Sequence, residues 1–209
     1  MLAFSRIASF VLFVLSLSFL TSAAPTPISN GLSVREGIRS ETDLVVAACV
    51  DLHAKVVAHA DVIVKLEELV GVKARVEVVV KDMKVFAGLV AKIKVSTVDA
   101  KVQAEIAAHV LVILQAIVKV CVSIIAKFGI SVCLDIIASL QVALKLVIDN
   151  LSVCIVGFAD VFVKLITDVQ LKAIADVRLD AIVKLCLEVR AKLGLNVNLN
   201  VLGLVGVSL

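Results

Sequence analysis

Few side chains of this 209-residue chain have a type and spacing that could do covalent or metal chemistry. The cysteines come first, and they are Cys49, Cys121, Cys133, Cys154 and Cys186. No CxxC or HxxxH spacing occurs, so the sequence predicts no zinc site. In an oxidising compartment these thiols could form disulfides, and otherwise they serve as small buried apolar side chains. Because their number is odd, one thiol must stay free or pair with another chain, and the connectivity stays open.

The histidines and carboxylates do not assemble into a recognisable reaction centre. His53 and His59 are six residues apart, so on a helix they point to different sides. Cys49 and His59 would lie about 15 Å apart on one helix, too far for a thiol and its general base. Asp176 and Asp180 belong to a regular line of charges and are expected at the surface. With no Gly-rich phosphate loop or GxSxG motif, the sequence predicts no catalytic, metal or cofactor residue and no enzyme.

One candidate modification site is present. Asn150-Leu151-Ser152 matches the N-glycosylation sequon. Asp149-Asn150 also reads as a break between two helices, where the side chain of Asn150 would be accessible. The sequence therefore predicts N-glycosylation at Asn150, provided that the chain enters the secretory route.

The N-terminal sequence predicts that the chain enters the secretory route. Arg6 precedes an apolar run from Ile7 to Leu20, and small residues follow. This is the pattern of a cleaved secretory signal peptide, and the run is short for a membrane span. We expect a signal peptide over residues 1–23, a flexible leader over 24–40, a helical domain over 41–194 and a tail over 195–209. The expected location is extracellular or the cell wall, with the membrane as the alternative.

The composition excludes several kinds of partner. Hydrophobic residues make up 61% of the chain, above the roughly 45–50% of an ordinary globular domain. There is no Trp or Tyr, whose rings usually stack on sugars and bases. The net charge is +3, and no run of Lys or Arg forms a patch. We therefore expect no nucleic acid as a partner and no carbohydrate site of the ordinary aromatic kind.

Two secondary structures compete for the region after residue 40. Every even-numbered residue from Val102 to Ile148 is apolar, and this alternation favours strands. However, no proline follows residue 40, and a strand of such length would be far beyond the usual roughly 3–10 residues. Acidic residues also precede Lys by four positions, which favours helices; these pairs are Asp160/Lys164, Asp168/Lys172, Asp180/Lys184 and Glu188/Lys192.

The preferred interpretation is an all-α bundle of about six long apolar helices, with a β-rich fold as the alternative. The expected helices cover about 41–70, 72–95, 97–128, 131–149, 151–166 and 168–193. Capping boxes are expected at Ser40-x-x-Asp43, Ser96-x-x-Asp99 and Thr167-x-x-Gln170. Gly71, Gly129 and Gly194 are expected to cap helix C-termini.

The leader ends in SAAPTP, and a Val- and Ala-rich chain without Trp follows it. This layout resembles the fungal hydrophobic surface-binding protein A and cell-wall galactomannoprotein group. The chain is richer in Cys, Lys and Ile than that group, and no site residue can be transferred. The resemblance implies an all-helical secreted protein that adsorbs to apolar surfaces or holds a lipid.

Helices that are apolar on most sides must be buried or bind something apolar. The function expected from the sequence is therefore a secreted, non-enzymatic helical protein that binds lipid, a membrane surface or another hydrophobic surface. Homo-oligomers are compatible with this interpretation. One alternative is an integral membrane protein whose helices pair their charges inside the bilayer. Another is a disulfide-linked structural or interaction protein that uses the odd cysteine.

Overall fold

The computed structural model describes residues 40–93 and 98–195. Helices account for 85% of these residues, and none of them is in a strand. The all-α prediction is confirmed, and the β-rich alternative is wrong. The helices are α1 (Glu41–Ile63), α2 (Leu69–Val90), α3 (Ala100–Phe128), α4 (Ile130–Cys154), α5 (Phe158–Leu165), α6 (Asp168–Asp176) and α7 (Asp180–Lys192).

The four long helices form a bundle. α1 packs against α2 and α3, and α4 packs against the same two helices, so α2 and α3 occupy opposite corners. The loop between α1 and α2 and the turn at Gly129 make two antiparallel hairpins. Polar bonds tie neighbouring helices of the two hairpins together: Lys119 of α3 pairs with Asp61 of α1, and Asn150 of α4 reaches α2.

The three short helices cover one side of this bundle. α5 packs on α3 and α4, and α7 packs on α4, α5 and α6. The backbone N–H of Ala181 donates to Gln141 Oε1 at 3.0 Å, which fixes the start of α7 on α4. Among the residues that the structure describes, α2 makes no comparable contact with the short helices.

The buried positions explain why an alternating sequence forms helices. In α1 the buried side chains recur every three or four residues, and they are Val45, Cys49, Leu52, Val56, Ala60 and Ile63. This is the period of one helical face, not of a strand. Apolar residues outnumber the inward positions, so the surplus lies outside, as at Val50 and Val62. The alternation in the sequence therefore reflects the high apolar content of the chain and not the period of a strand.

The predicted helix starts are confirmed at two places. Ser40 and Asp43 form a complete capping box at α1, and Thr167 and Gln170 form another at α6. At α3 the N-cap is Asp99, whose carboxylate accepts from the N–H of Lys101. Ser96, the predicted cap there, lies outside the described residues.

The predicted helix ends are confirmed in part. Gly129 has φ 83° where α3 ends and α4 begins, and Gly194 has φ 65° after α7. A positive φ costs glycine little, which suits both stops. The prediction for Gly71 is wrong, because α1 already ends at Ile63 and Gly71 lies in the first turn of α2.

The predicted break at residues 149–150 is also wrong. α4 continues through Asp149 and Asn150 to Cys154, since Leu151 and Cys154 are buried on its inward face. The chain leaves the helix only at Ile155, and Gly157 then takes a left-handed conformation with φ 80° before α5.

The predicted helix over 168–193 is two helices. α6 ends in a Schellman motif: the N–H of Leu179 bonds to Ile174 O, and that of Arg178 bonds to Ala175 O. Arg178 holds the left-handed position with φ 66°, where glycine is usual. Leu179 is fully buried. Burial of this side chain explains why α6 ends here, although no glycine or proline marks the end in the sequence.

The predicted acid-first pairs do not form in residues 158–192. Asp168 pairs with Arg190 of α7, and Lys184 pairs with Glu188 at 3.9 Å. Asp180 lies 3.5 Å from Arg178 Nε. Each predicted pair lies within one helix, and exposed lysines there gain little from fixed pairing.

Of the helices that the structure describes, α3 and α4 have the length and composition to cross a membrane. In the most apolar window of each, 50% of the α3 residues and 39% of the α4 residues are buried within the bundle. Core helices of water-soluble bundles have the same length and composition, so this property does not distinguish a membrane span from a core helix.

Candidate functional site

An open groove of about 630 Å³ lies between α2 and α4. Both helices supply its walls: Lys73, Val76, Glu77, Val80, Lys81, Lys84 and Val85 from α2, and Asp135, Ile136 and Ser139 from α4. Ligand pockets for small molecules commonly have volumes of roughly 300–1,000 Å³. The groove is therefore large enough for an organic ligand.

Helical spacing separates the groove into an apolar floor and a polar rim. Val76 and Ile136 are buried between α2 and α4, and Val80 is half-buried beside them. Lys73, Lys81 and the neighbouring Lys84 follow at steps that place them on the outer side of α2. The floor can hold an aliphatic chain while the ammonium groups remain in water.

The polar atoms of the rim are available to a ligand. Lys73, Lys81 and Lys84 form no ion pair with any residue that the structure describes. Ser139 Oγ donates to the backbone oxygen of Asp135 at 2.9 Å, so this hydroxyl is already engaged within α4. The cationic groups are the ones free to meet a carboxylate or phosphate.

The interior of the bundle is tightly packed where its long helices meet. A cavity of about 10 Å³ lies where the four long helices meet, lined by Val56, Ala60, Ile63, Val79, Ala116, Ile117, Val120 and Leu140. A cavity of roughly 10–15 Å³ holds one water molecule. This cavity is therefore far too small for a lipid chain.

Asn150 lies inside α4 and not at a loop. Its Nδ2 donates to the backbone oxygen of Ala87 in α2 at 2.9 Å, and its side chain is half-buried. Ser152, the third residue of the sequon, donates to Ile148 O at 2.7 Å. The accessibility argued from a helix break is lost, and glycosylation at Asn150 stays a prediction that requires transfer before α4 packs on α2.

The cysteines are buried and dispersed over the fold. Cys49 lies on α1, Cys121 on α3, Cys133 and Cys154 on α4, and Cys186 on α7. Burial raises the pKa of Cys49, Cys121 and Cys186 to about 12, and it also raises the pKa of Cys133. Cys49 Sγ lies 3.9 Å from Ile106 O. These thiols behave as apolar core groups, and no nucleophile is formed by Cys49.

The structure brings together two histidines that the sequence keeps apart. Nδ1 of His53 on α1 lies 2.8 Å from Nδ1 of His109 on α3. His59 lies on another side of α1, with Nε2 3.7 Å from Asp82 Oδ2 of α2. The expectation that His53 and His59 diverge is confirmed. The His53–His109 contact could not be found from spacing, because it depends on how α1 and α3 pack.

The described residues contain no cluster of three or more His, Cys, Asp or Glu side chains that could hold a metal ion. Asp176 ends α6 and Asp180 begins α7, so these carboxylates do not share a helical turn. The structure thus assigns neither residue to a paired carboxylate site.

Comparison with known proteins adds one distant likeness. The sequence matches no protein-family model and none of the curated proteins with which it was compared. Among solved structures, the chain is similar to the crystal structure of AFMP4P in complex with palmitic acid. The TM-score is 0.43 at 13% identity, over 71% of this chain and 98% of that one. The resemblance to the surface-binding and galactomannoprotein group stays a prediction.

Proposed function

We propose that this protein is a secreted, non-enzymatic lipid-binding protein whose ligand lies in the groove between α2 and α4. The observation that carries the proposal is the apolar floor of Val76, Val80 and Ile136 beneath lysines without ionic partners. An aliphatic chain on this floor would lose contact with water, and an acidic head group would meet Lys73 or Lys84. Secretion rests on the N-terminal sequence alone.

The surplus of exposed apolar side chains supports the same proposal. Val85 is 63% exposed at the groove wall, and Val142 is 61% exposed on α4. Single exposed valines are ordinary, but several next to one apolar groove mark a binding surface. An apolar ligand or surface would cover them.

The proposal is tested with cis-parinaric acid, a fatty acid that becomes fluorescent in an apolar site. We expect saturable binding by the native protein. Val80→Phe fills the floor of the groove and should weaken binding by about tenfold or more, since the pocket loses volume without losing charge. Val169→Phe, at an exposed position of α6, is the matched control and should bind as the native protein does. Absence of binding, or equal binding by V80F, would refute the proposal.

A further inference from the structure

The basic residues of α2 are distributed differently from those elsewhere in the fold. Leu69–Val90 contains four basic side chains and two acidic ones, while the described residues as a whole carry no net charge. Lys73, Arg75, Lys81 and Lys84 all lack an ion pair within the described residues. Seven of the Lys and Arg residues outside α2 are paired: Lys55, Lys119, Lys127, Lys145, Arg178, Lys184 and Arg190. An external anion can therefore bind these cations of α2 without displacing a carboxylate of the protein.

Acidic groups on this side of the molecule reduce the positive charge without cancelling it. Glu77 and Asp135 line the groove with the lysines. Asp82, the other acid of α2, faces His59 of α1 at 3.7 Å. The outer side of α2 therefore keeps a positive excess from Lys73, Lys81 and Lys84, close to the apolar floor.

Exposed apolar side chains continue this surface along both helices. Val85 of the groove wall is exposed on α2. Val142 and Leu146 are four residues apart on α4 and are also exposed. Residues at these steps share one side of a helix, and Asn150 holds α4 to α2. Apolar and cationic groups thus form one face, which we call the α2–α4 face.

We propose that the α2–α4 face docks on the surface of an anionic phospholipid bilayer. Exposed valine and leucine side chains would enter the boundary between head groups and acyl chains, and the lysines would lie against phosphate and carboxylate groups. This inference rests on the proposed lipid-binding function and adds a selection for anionic head groups. A basic, partly apolar helical surface is the kind that binds membranes in the interface plane.

The test compares vesicles of phosphatidylcholine alone with vesicles in which about a third of the lipid is phosphatidylserine. The protein is expressed from the sequence given, purified, and then sedimented with each kind of vesicle. We expect roughly tenfold tighter binding to the anionic vesicles at low salt, weakening as salt is added. The combined variant K73Q/K81Q/K84Q should bind both vesicles alike. The matched control K101Q/K164Q/K172Q removes three exposed lysines that also lack ion pairs with described residues, and it should keep the preference.

The outcomes separate the two proposals. Equal binding of the native protein to both vesicles, or an anionic preference that survives in K73Q/K81Q/K84Q, overturns the docking inference and leaves lipid binding intact. Binding of cis-parinaric acid without any vesicle binding also overturns it, because the groove then holds single chains only. Failure to bind cis-parinaric acid and both vesicles refutes both proposals. Circular dichroism of each variant establishes that it is folded.

Discussion

Nδ1 of His53 lies 2.8 Å from Nδ1 of His109, so one imidazole donates a hydrogen bond to the other across α1 and α3. Only a pair with a neutral acceptor nitrogen can make this bond. Burial, and then the proximity of His109, lower the pKa of His53 below its ordinary value of 6.5. The contact between α1 and α3 is therefore sensitive to acid.

The first prediction concerns stability against pH. Above pH 6.5 both the folded and the unfolded chain hold His53 neutral, so its contribution is fully present. As the pH falls below that value, the unfolded chain binds a proton that the folded protein resists, and the free energy of unfolding decreases until the lowered pKa is passed. Urea denaturation at several pH values between 8 and 5 should show this decrease.

A substitution identifies the source of that decrease. In His53→Gln the side chain can still hydrogen-bond to His109 but does not titrate. The free energy of unfolding should therefore decrease less on acidification than it does in the native protein. His59→Gln changes a histidine on the other side of α1. This variant should keep the share of the acid-induced decrease in the free energy of unfolding that His53 causes. An unchanged pH profile in H53Q would show that the His53–His109 pair does not govern acid stability.

The second prediction concerns Lys127 at the end of α3. Its Nζ donates to the backbone oxygens of Val64 and Leu66 at 2.9 and 2.8 Å, and to Glu67 Oε1 at 2.9 Å. Lys127 thus holds the loop between α1 and α2. Lys127→Met keeps the aliphatic stem but leaves these acceptors without their donor, and we expect a loss of roughly 1–3 kcal/mol in the free energy of unfolding.

Lys119→Met is the control for this variant. Lys119 pairs with Asp61 at 2.9 Å, but both side chains are about half exposed. Such pairs contribute roughly 0–1 kcal/mol, so K119M should be nearly neutral in the same urea titration. Equal losses in K127M and K119M would contradict the role given to the loop carbonyls.

The third prediction concerns the buried Arg190, which is 5% exposed. Its guanidinium donates to Asp168 and to the backbone oxygen of Ile166, and so joins α7 to the start of α6. Asp168→Ala leaves the guanidinium without its carboxylate. Because Asp168 is itself half exposed, we expect a loss of roughly 2–4 kcal/mol, at or below the usual range for broken buried pairs.

Arg190→Met should cost less than D168A, since it removes the buried charge together with its need for a partner. Asp176→Ala, at an exposed position of α6, is the control and should change stability by less than about 0.5 kcal/mol. All three are measured by urea denaturation followed by circular dichroism. A larger loss in R190M than in D168A would show that packing of the arginine stem outweighs its charge.

The fourth prediction concerns the thiols. Because burial raises the pKa of Cys49, Cys121 and Cys186 to about 12, almost no thiolate exists at pH 8 in the folded protein. Iodoacetamide should therefore leave these cysteines unmodified under native conditions and modify them in urea, as mapped by mass spectrometry. A cysteine that resists modification in urea until a reductant is added would instead lie in a disulfide, which the sequence left open.

The helical fold could be predicted from residues that act locally. Ser40 with Asp43, and Thr167 with Gln170, cap helices through atoms three residues apart. Gly129 ends α3 where a positive φ is needed. The break at Arg178 could not be predicted in the same way, because burial of Leu179 stabilises it and no glycine marks it.

The candidate site could be predicted only in kind. A surplus of apolar residues with dispersed charge indicates an apolar binding surface, and that expectation names no position. The groove over Val76, Val80 and Ile136 exists because α2 and α4 lie side by side in the bundle. Lys81 and Lys84 do not stand out in a sequence that has no basic run, and they do once the fold places them beside the apolar floor of the groove.

By itself, the sequence determined that long helices form after residue 40 and that more apolar side chains exist than a bundle of this size can bury. Capping, propensity and composition act within a few residues, so these properties can be read without a fold. Only the tertiary structure decided which apolar residues stay outside, which lysines lack partners and which histidines meet. Those outcomes depend on contacts between residues more than 50 positions apart, such as His53 with His109 and Ala87 with Asn150, which no local pattern encodes.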